Sequence, residues 1–123
     1  MLIAMTASSA LKTDRYELTM LEAALRDGTA SRQSVFELFS RRLSGGRRFG
    51  VVAGPGRLLS LLRDFRFGDE ELRYLRDAKV VDAEALRYLE GYRFSGTIRG
   101  YREGELYFPG SPILTVEGTF ADA

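Results

Sequence analysis

An α/β (α+β) fold follows from three features of the sequence. A leucine stripe at helical spacing opens the chain over 14–27, a short aromatic and branched run follows over 34–39, and beyond Tyr92 the apolar period shortens toward alternation. Together they predict an N-terminal helix, a small mainly antiparallel sheet, middle helices and a late β-hairpin region.

Each element has a local cause. Over 14–27, Leu18, Leu21 and Leu25 fall on one face with Ala24 beside them, and that face is expected to be buried. Asp14 with Glu17 three residues on is the capping-box pattern, and Gly28 supplies a left-handed stop. In the strand over 34–39, alternation places Phe36 and Leu38 on one face and Val35, Glu37 and Phe39 on the other. A buried Glu37 would need a cation or a backbone donor. Residues 41–48 hold four arginines around Gly45-Gly46 and read as a basic turn, so a second strand over 49–53 is expected to pair with the first as a hairpin.

Gly54-Pro55-Gly56 then breaks the chain before a helix over 57–65 with a broad apolar face of Leu58, Leu59, Leu61, Leu62 and Phe65. Two short helices follow. Asp69, Glu70 and Glu71 place acid at the positive N-terminus of one; Asp82 and Glu84 do so for the other, which Gly91 ends. Strands are expected over 92–94, 97–101, 105–108 and 113–117, with a tight turn at Glu103-Gly104 and a break at 109–112. The last strand runs into Ala121-Asp122-Ala123 with no closing element, so unpaired strand edges and a longer parent chain are expected.

Composition narrows the chemistry. A chain of 123 residues has room for one domain of ordinary size, exposing about 6,600 Å² when folded against about 20,000 Å² unfolded. At 45% hydrophobic and 11% aromatic it lies far from the signature of disorder. With Cys and His both at 0, there is no thiolate nucleophile, disulfide, sulfur metal site or imidazole proton shuttle, and the pattern suits a reducing cytoplasm. A net charge of +1 provides no global field for nucleic acid or anionic membrane, so any basic site is local. No apolar run reaches the length of a bilayer span. Residues 1–12 lack a basic n-region and read as a flexible cytoplasmic terminus, with Met5 an alternative start.

Three clusters could carry chemistry. Thr13-Asp14-Arg15-Tyr16-Glu17 puts a carboxylate, a guanidinium and a phenol in the first helical turn, where an aromatic could stack on a planar ring and free N–H groups could meet an anion. On spacing alone the structural alternative is stronger: Asp14 as cap, Tyr16 as staple or core residue. Arg41, Arg42, Arg47 and Arg48 could converge on one polyanion through bidentate forks, or be merely solvated, and both readings stay open. Gly54-Pro55-Gly56-Arg57 could offer backbone N–H groups to an anion but lacks the phosphate-loop pattern, so turn punctuation is preferred. Glu103, Glu105 and Glu117 read as surface charges.

The order and spacing of 13–20 (Thr-Asp-Arg-Tyr-Glu-Leu-Thr-Met), 36–42 (Phe-Glu-Leu-Phe-Ser-Arg-Arg), 52–54 (Val-Ala-Gly) and 104–112 (Gly-Glu-Leu-Tyr-Phe-Pro-Gly-Ser-Pro) resemble the opening of nicotinate phosphoribosyltransferases. The resemblance covers nearly all of the chain from Leu11 onward. It implies that 13–123 is the N-terminal domain preceding a phosphoribosyltransferase α/β barrel, with the barrel absent. Members join nicotinate to phosphoribosyl pyrophosphate, giving nicotinate mononucleotide and pyrophosphate, coupled to ATP hydrolysis with Mg, as the entry to NAD salvage. Their active sites form between the subunits of a homodimer.

By that resemblance Tyr16 packs on the nicotinate ring of the neighbouring subunit's site, Asp14 helps position the segment, and Arg41 and Arg42 face the phosphates of the sugar donor or product. Ser40 and Ser44 stand where relatives often have Phe and Pro, and Arg47 and Arg48 have no assigned role. The phosphorylated histidine and the grip on the pyridine carboxylate would lie beyond Ala123, so neither catalytic residues nor a bound cofactor are expected here. The alternatives are a non-catalytic module docking on a full-length homologue and a nucleic-acid binder using the arginine loop. Near-neutral charge disfavours the last.

Overall fold

The computed structural model describes residues 9–122; the expected loose terminus falls outside them up to residue 8. From residue 9 the chain is turned, with Lys12 N–H donating to the Ser9 carbonyl at 2.9 Å and Ala10 buried. The chain that length arithmetic treats as one domain divides into two compact units, each built from two segments. A helical unit takes 9–30 with Asp64–Phe94; a sheet unit takes Ser31–Arg63 with 95–122.

Three helices form the helical unit: α1 (Arg15–Asp27), then α3 (Asp69–Asp77) and α4 (Ala83–Gly91), numbered in chain order with α2 (Pro55–Arg63) in the other unit. Leu18, Leu21 and Ala24 of α1 are buried as the stripe predicts, and Gly28 at φ 76° ends the helix where only glycine adopts the left-handed turn at little cost. Asp14 occupies the N-cap position but makes no side-chain cap bond, so the expected capping box is not formed. A comparable device appears on α3, where a Glu71 carboxylate oxygen accepts the Gly68 N–H at 2.9 Å. On α4 the Asp82 carboxylate accepts the N–H groups of Glu84 and Ala85 at 3.1 and 2.9 Å.

Leu72, Leu75, Val81, Ala85 and Leu89 complete this core; Leu75 is 1% exposed. Phe65, Phe67 and Tyr92 close it with edge-on ring contacts at centroid distances of 5.6 to 6.4 Å. That cluster explains a correction: Tyr92 caps the end of α4 and packs on phenylalanines, so 92–94 forms no strand.

The sheet unit holds two sheets. In the first, β5 (Pro112–Thr119) lies between β1 (Gln33–Phe39) and β3 (Thr97–Gly100), antiparallel to both. The second pairs β2 (Gly50–Val51) with β4 (Leu106–Tyr107). The predicted hairpin between β1 and the 49–53 strand is therefore wrong. β1 gains a seven-residue ladder with β5, whereas β2 offers only two residues. Gly50 also suits β4, because a Cβ there would strike the Tyr107 ring. The 103–104 turn forms, but its flanking strands β3 and β4 enter different sheets. β5 is not an edge; the edges of this three-stranded sheet are β1 and β3.

Helix α2 (Pro55–Arg63) starts two residues earlier than expected, with Pro at its first position, and has no buried residue. The register puts Phe36, Leu38, Ile98, Leu114 and Val116 on one sheet face. That face is poorly covered: Leu38 is 57% exposed, and on the opposite face Val35 is 64% exposed. Glu37 is exposed, which removes its need for a buried partner.

Candidate functional site

The predicted site residues lie on both units: Asp14 and Tyr16 on the helical unit, Arg41 and Arg42 on the sheet unit. Their local frames differ in how they are held.

Tyr16 stands in the first turn of α1, next to the residues that anchor that helix in its core, yet it is 56% exposed. The reading as a staple or core residue is therefore excluded. Its phenol is pushed above the ordinary tyrosine range, first by a hydrogen bond to the Glu17 carboxylate and by that charge, with partial burial and the Asp14 charge adding to it. The ring is thus a neutral aromatic face at physiological pH, flanked by two carboxylates. Asp14 is exposed in extended backbone, and its carbonyl accepts the Glu17 N–H at 3.1 Å. Glu17 is a participant that sequence reasoning missed: its spacing suggested a reach back to the cap, and it instead engages the phenol.

Arg41 and Arg42 leave the end of β1 through a pinned segment. The Ser40 carbonyl accepts the Gly110 N–H at 2.8 Å, and the Ser40 hydroxyl donates to the Arg42 carbonyl at 2.9 Å. Ser40 thus stiffens the backbone carrying the two guanidinium groups. Residues 44–47 turn, and Arg41, Arg42, Arg47 and Arg48 are all exposed. Among the described residues none of the four forms an ion pair, which leaves their forks open to an anion.

The start of α2 behaves differently. The Gly54 N–H donates to both oxygens of the Glu103 carboxylate at 2.9 and 3.0 Å, so an internal anion already fills that place. Glu105 accepts the Arg102 N–H, and Glu117 pairs with Arg99, each at 2.6 Å. All three glutamates therefore have structural partners; Glu103 and Glu105 are exposed, as expected of surface charges, whereas Glu117 is half-buried. No sequence signal tied Glu103 to Gly54, because 49 residues separate them. Among the described residues, no three acidic side chains gather in a way that could hold a metal ion, and no helix is long and apolar enough to cross a membrane.

Comparison with known proteins bears on this arrangement. Residues 11–123 match the family model of the nicotinate phosphoribosyltransferase N-terminal domain. A Mycobacterium tuberculosis nicotinate phosphoribosyltransferase is 59% identical over 112 residues, covering 91% of this chain and 25% of its own length. The Bacillus subtilis enzyme of that name is 37% identical over 116 residues, 94% of this chain and 24% of its own. The crystal structure of the human nicotinic acid phosphoribosyltransferase superposes with a TM-score of 0.79 at 34% identity, covering 89% of this chain and 23% of that one. The chain thus spans about a quarter of the length of these relatives, and it belongs to the nicotinate phosphoribosyltransferase family, in which it corresponds to the N-terminal domain.

Proposed function

We propose that this chain supplies one wall of a nicotinate phosphoribosyltransferase site, serving the conversion of nicotinate and phosphoribosyl pyrophosphate to nicotinate mononucleotide and pyrophosphate in NAD salvage. One observation carries the reading beyond family membership: the Tyr16 ring stands exposed and neutral on a helix whose other face is fixed in a core. Such a ring stacks on a planar pyridine at small entropic cost. Asp14 holds the segment's acidic edge. Arg41 and Arg42, unpaired and on a pinned backbone, would grip the phosphates and orient the departing pyrophosphate. Homodimerisation would bring the ring to a partner's site, in the cytoplasm.

ATP with Mg would be held elsewhere in the enzyme, since the described residues offer no acidic cluster for the metal and the chain has no histidine to phosphorylate. Alone, the chain provides binding surface without a group to drive the reaction, and it is inactive.

The test is a chimera in which residues 11–123 replace the matched quarter of the Mycobacterium tuberculosis relative. Tyr16→Ala raises the KM for nicotinate about three- to tenfold by removing ring stacking. Arg41→Ala raises the KM for phosphoribosyl pyrophosphate about tenfold or more through loss of a charge-assisted bond. Unchanged nicotinate kinetics in the first variant, or an effect limited to nicotinate in the second, removes the assignment. A second reading, docking on a full-length homologue without catalysis, is favoured by the bare apolar sheet face. A chain that elutes as a monomer and fails to retain the intact enzyme rules that reading out.

A further inference from the structure

A groove of about 400 Å³ runs between α3 and α4 within the helical unit. Leu72, buried, and Leu86, half-buried, line it, with Arg73 and Arg76 from α3 and Arg87 from α4 around them. Helical spacing gives two of these cations a ready partner, since Asp69 precedes Arg73 by four residues and Glu90 follows Arg87 by three. Among the described residues, however, none of the three guanidinium groups forms an ion pair. In the same unit Arg26 does pair, with both Glu22 and Asp82. The groove therefore gathers three open forks beside an apolar surface, against two carboxylates, Asp69 and Glu90, in the same lining.

The lining also limits the anion. Asp69 and Glu90 belong to the same groove and repel a second negative centre, which disfavours a nucleic-acid backbone or an acidic peptide and leaves room for one compact charge. The volume falls in the range of small-molecule sites, and tetrahedral phosphate oxygens match guanidinium forks. We propose that the α3–α4 groove binds a small phosphomonoester, with its phosphate on Arg73, Arg76 and Arg87 and its organic body against Leu72 and Leu86. This site is independent of the transferase reading, whose phosphate-facing arginines belong to the sheet unit.

The experiment is a titration of the 123-residue chain with phenyl phosphate, followed by backbone amide NMR. Saturable shifts are expected in α3 and α4, with inorganic phosphate binding about tenfold more weakly because it lacks a body to cover the leucines. The Arg73→Gln/Arg87→Gln double variant weakens phenyl phosphate about tenfold or more. Arg76→Gln weakens it less, and Arg41→Gln/Arg42→Gln leaves these shifts in place. All the substituted residues are exposed, so the fold is retained. Linear, unsaturating shifts, shifts spread over every arginine-bearing surface, equal binding of the two phosphates, or unchanged affinity in the double variant overturns the proposal.

Discussion

The helical and sheet units draw on similar apolar resources and spend them differently. Among the described residues, every buried apolar residue apart from Val52 lies in the helical unit, while Val35, Phe36, Leu38, Leu59, Leu61 and Leu106 of the sheet unit are exposed. Helices carry their hydrogen bonds internally and need only match apolar stripes, so three of them close a core within about fifty residues of chain. A three-stranded sheet satisfies its backbone but presents a whole face, and α2, with no buried residue, does not cover it. The lesson is that backbone pairing and core formation are separable. The sheet unit has the first with little of the second, and its arginine-bearing 40–48 loop is fixed by hydrogen bonds at Ser40 more than by packing.

The largest effect that follows belongs to the helical core. Leu75→Ala removes a side chain that is 1% exposed and is expected to cost about 2–5 kcal/mol, the range for a buried leucine whose cavity relaxes only in part. Denaturant unfolding followed by circular dichroism, which reports mainly on helix, measures it. A cost below about 1 kcal/mol would mean that the helical unit is no better packed than its neighbour, and the contrast between the units would collapse.

A smaller effect comes from charge. Asp82 is held below the ordinary carboxylate range, first by the Ala85 N–H bond, then by the Arg26 guanidinium and the Glu84 N–H, against a partial opposing push from burial. Because the folded value is depressed, the stabilisation is present above the unfolded carboxylate value and is lost as pH falls through the folded one. Glu22 adds to this junction by accepting the Asp82 N–H at 3.1 Å. Asp82→Asn keeps a capping side chain but not the charge, so its Tm should lie below the wild type near neutral pH and converge on it in acid. Parallel Tm curves at every pH would show that the Arg26 pairing contributes nothing.

These results mark where the sequence was legible. Helix α1, its stop at Gly28 and the Asp82 cap were readable because each depends on residues within one or two turns. Strand pairing was not, because the choice of β5 over β2 as the partner of β1 joins residues some eighty positions apart in chain and is decided by ladder length. Alternation correctly sorted Phe36 and Leu38 from Val35 and Glu37, but burial did not follow, since burial needs a covering element that alternation cannot supply. At the candidate site, motif order singled out Tyr16, Asp14, Arg41 and Arg42 as expectations. The exposure of the phenol and its bond to Glu17 depend on side-chain direction within the first turn, which spacing leaves open.

The smallest effect tests the sheet unit directly. Leu59 lies on α2 and is 49% exposed, so Leu59→Ala should change unfolding free energy by no more than about 0.5 kcal/mol, as surface substitutions do. Alanine's better helix propensity opposes even that small loss. The same chemical change at Leu75 and at Leu59 therefore separates the two units by several-fold, in one protein and one assay. If Leu59→Ala instead costs as much as a core leucine, α2 is buried in solution against a surface supplied by another molecule. Dilution would then weaken the effect, because burial that depends on association follows concentration.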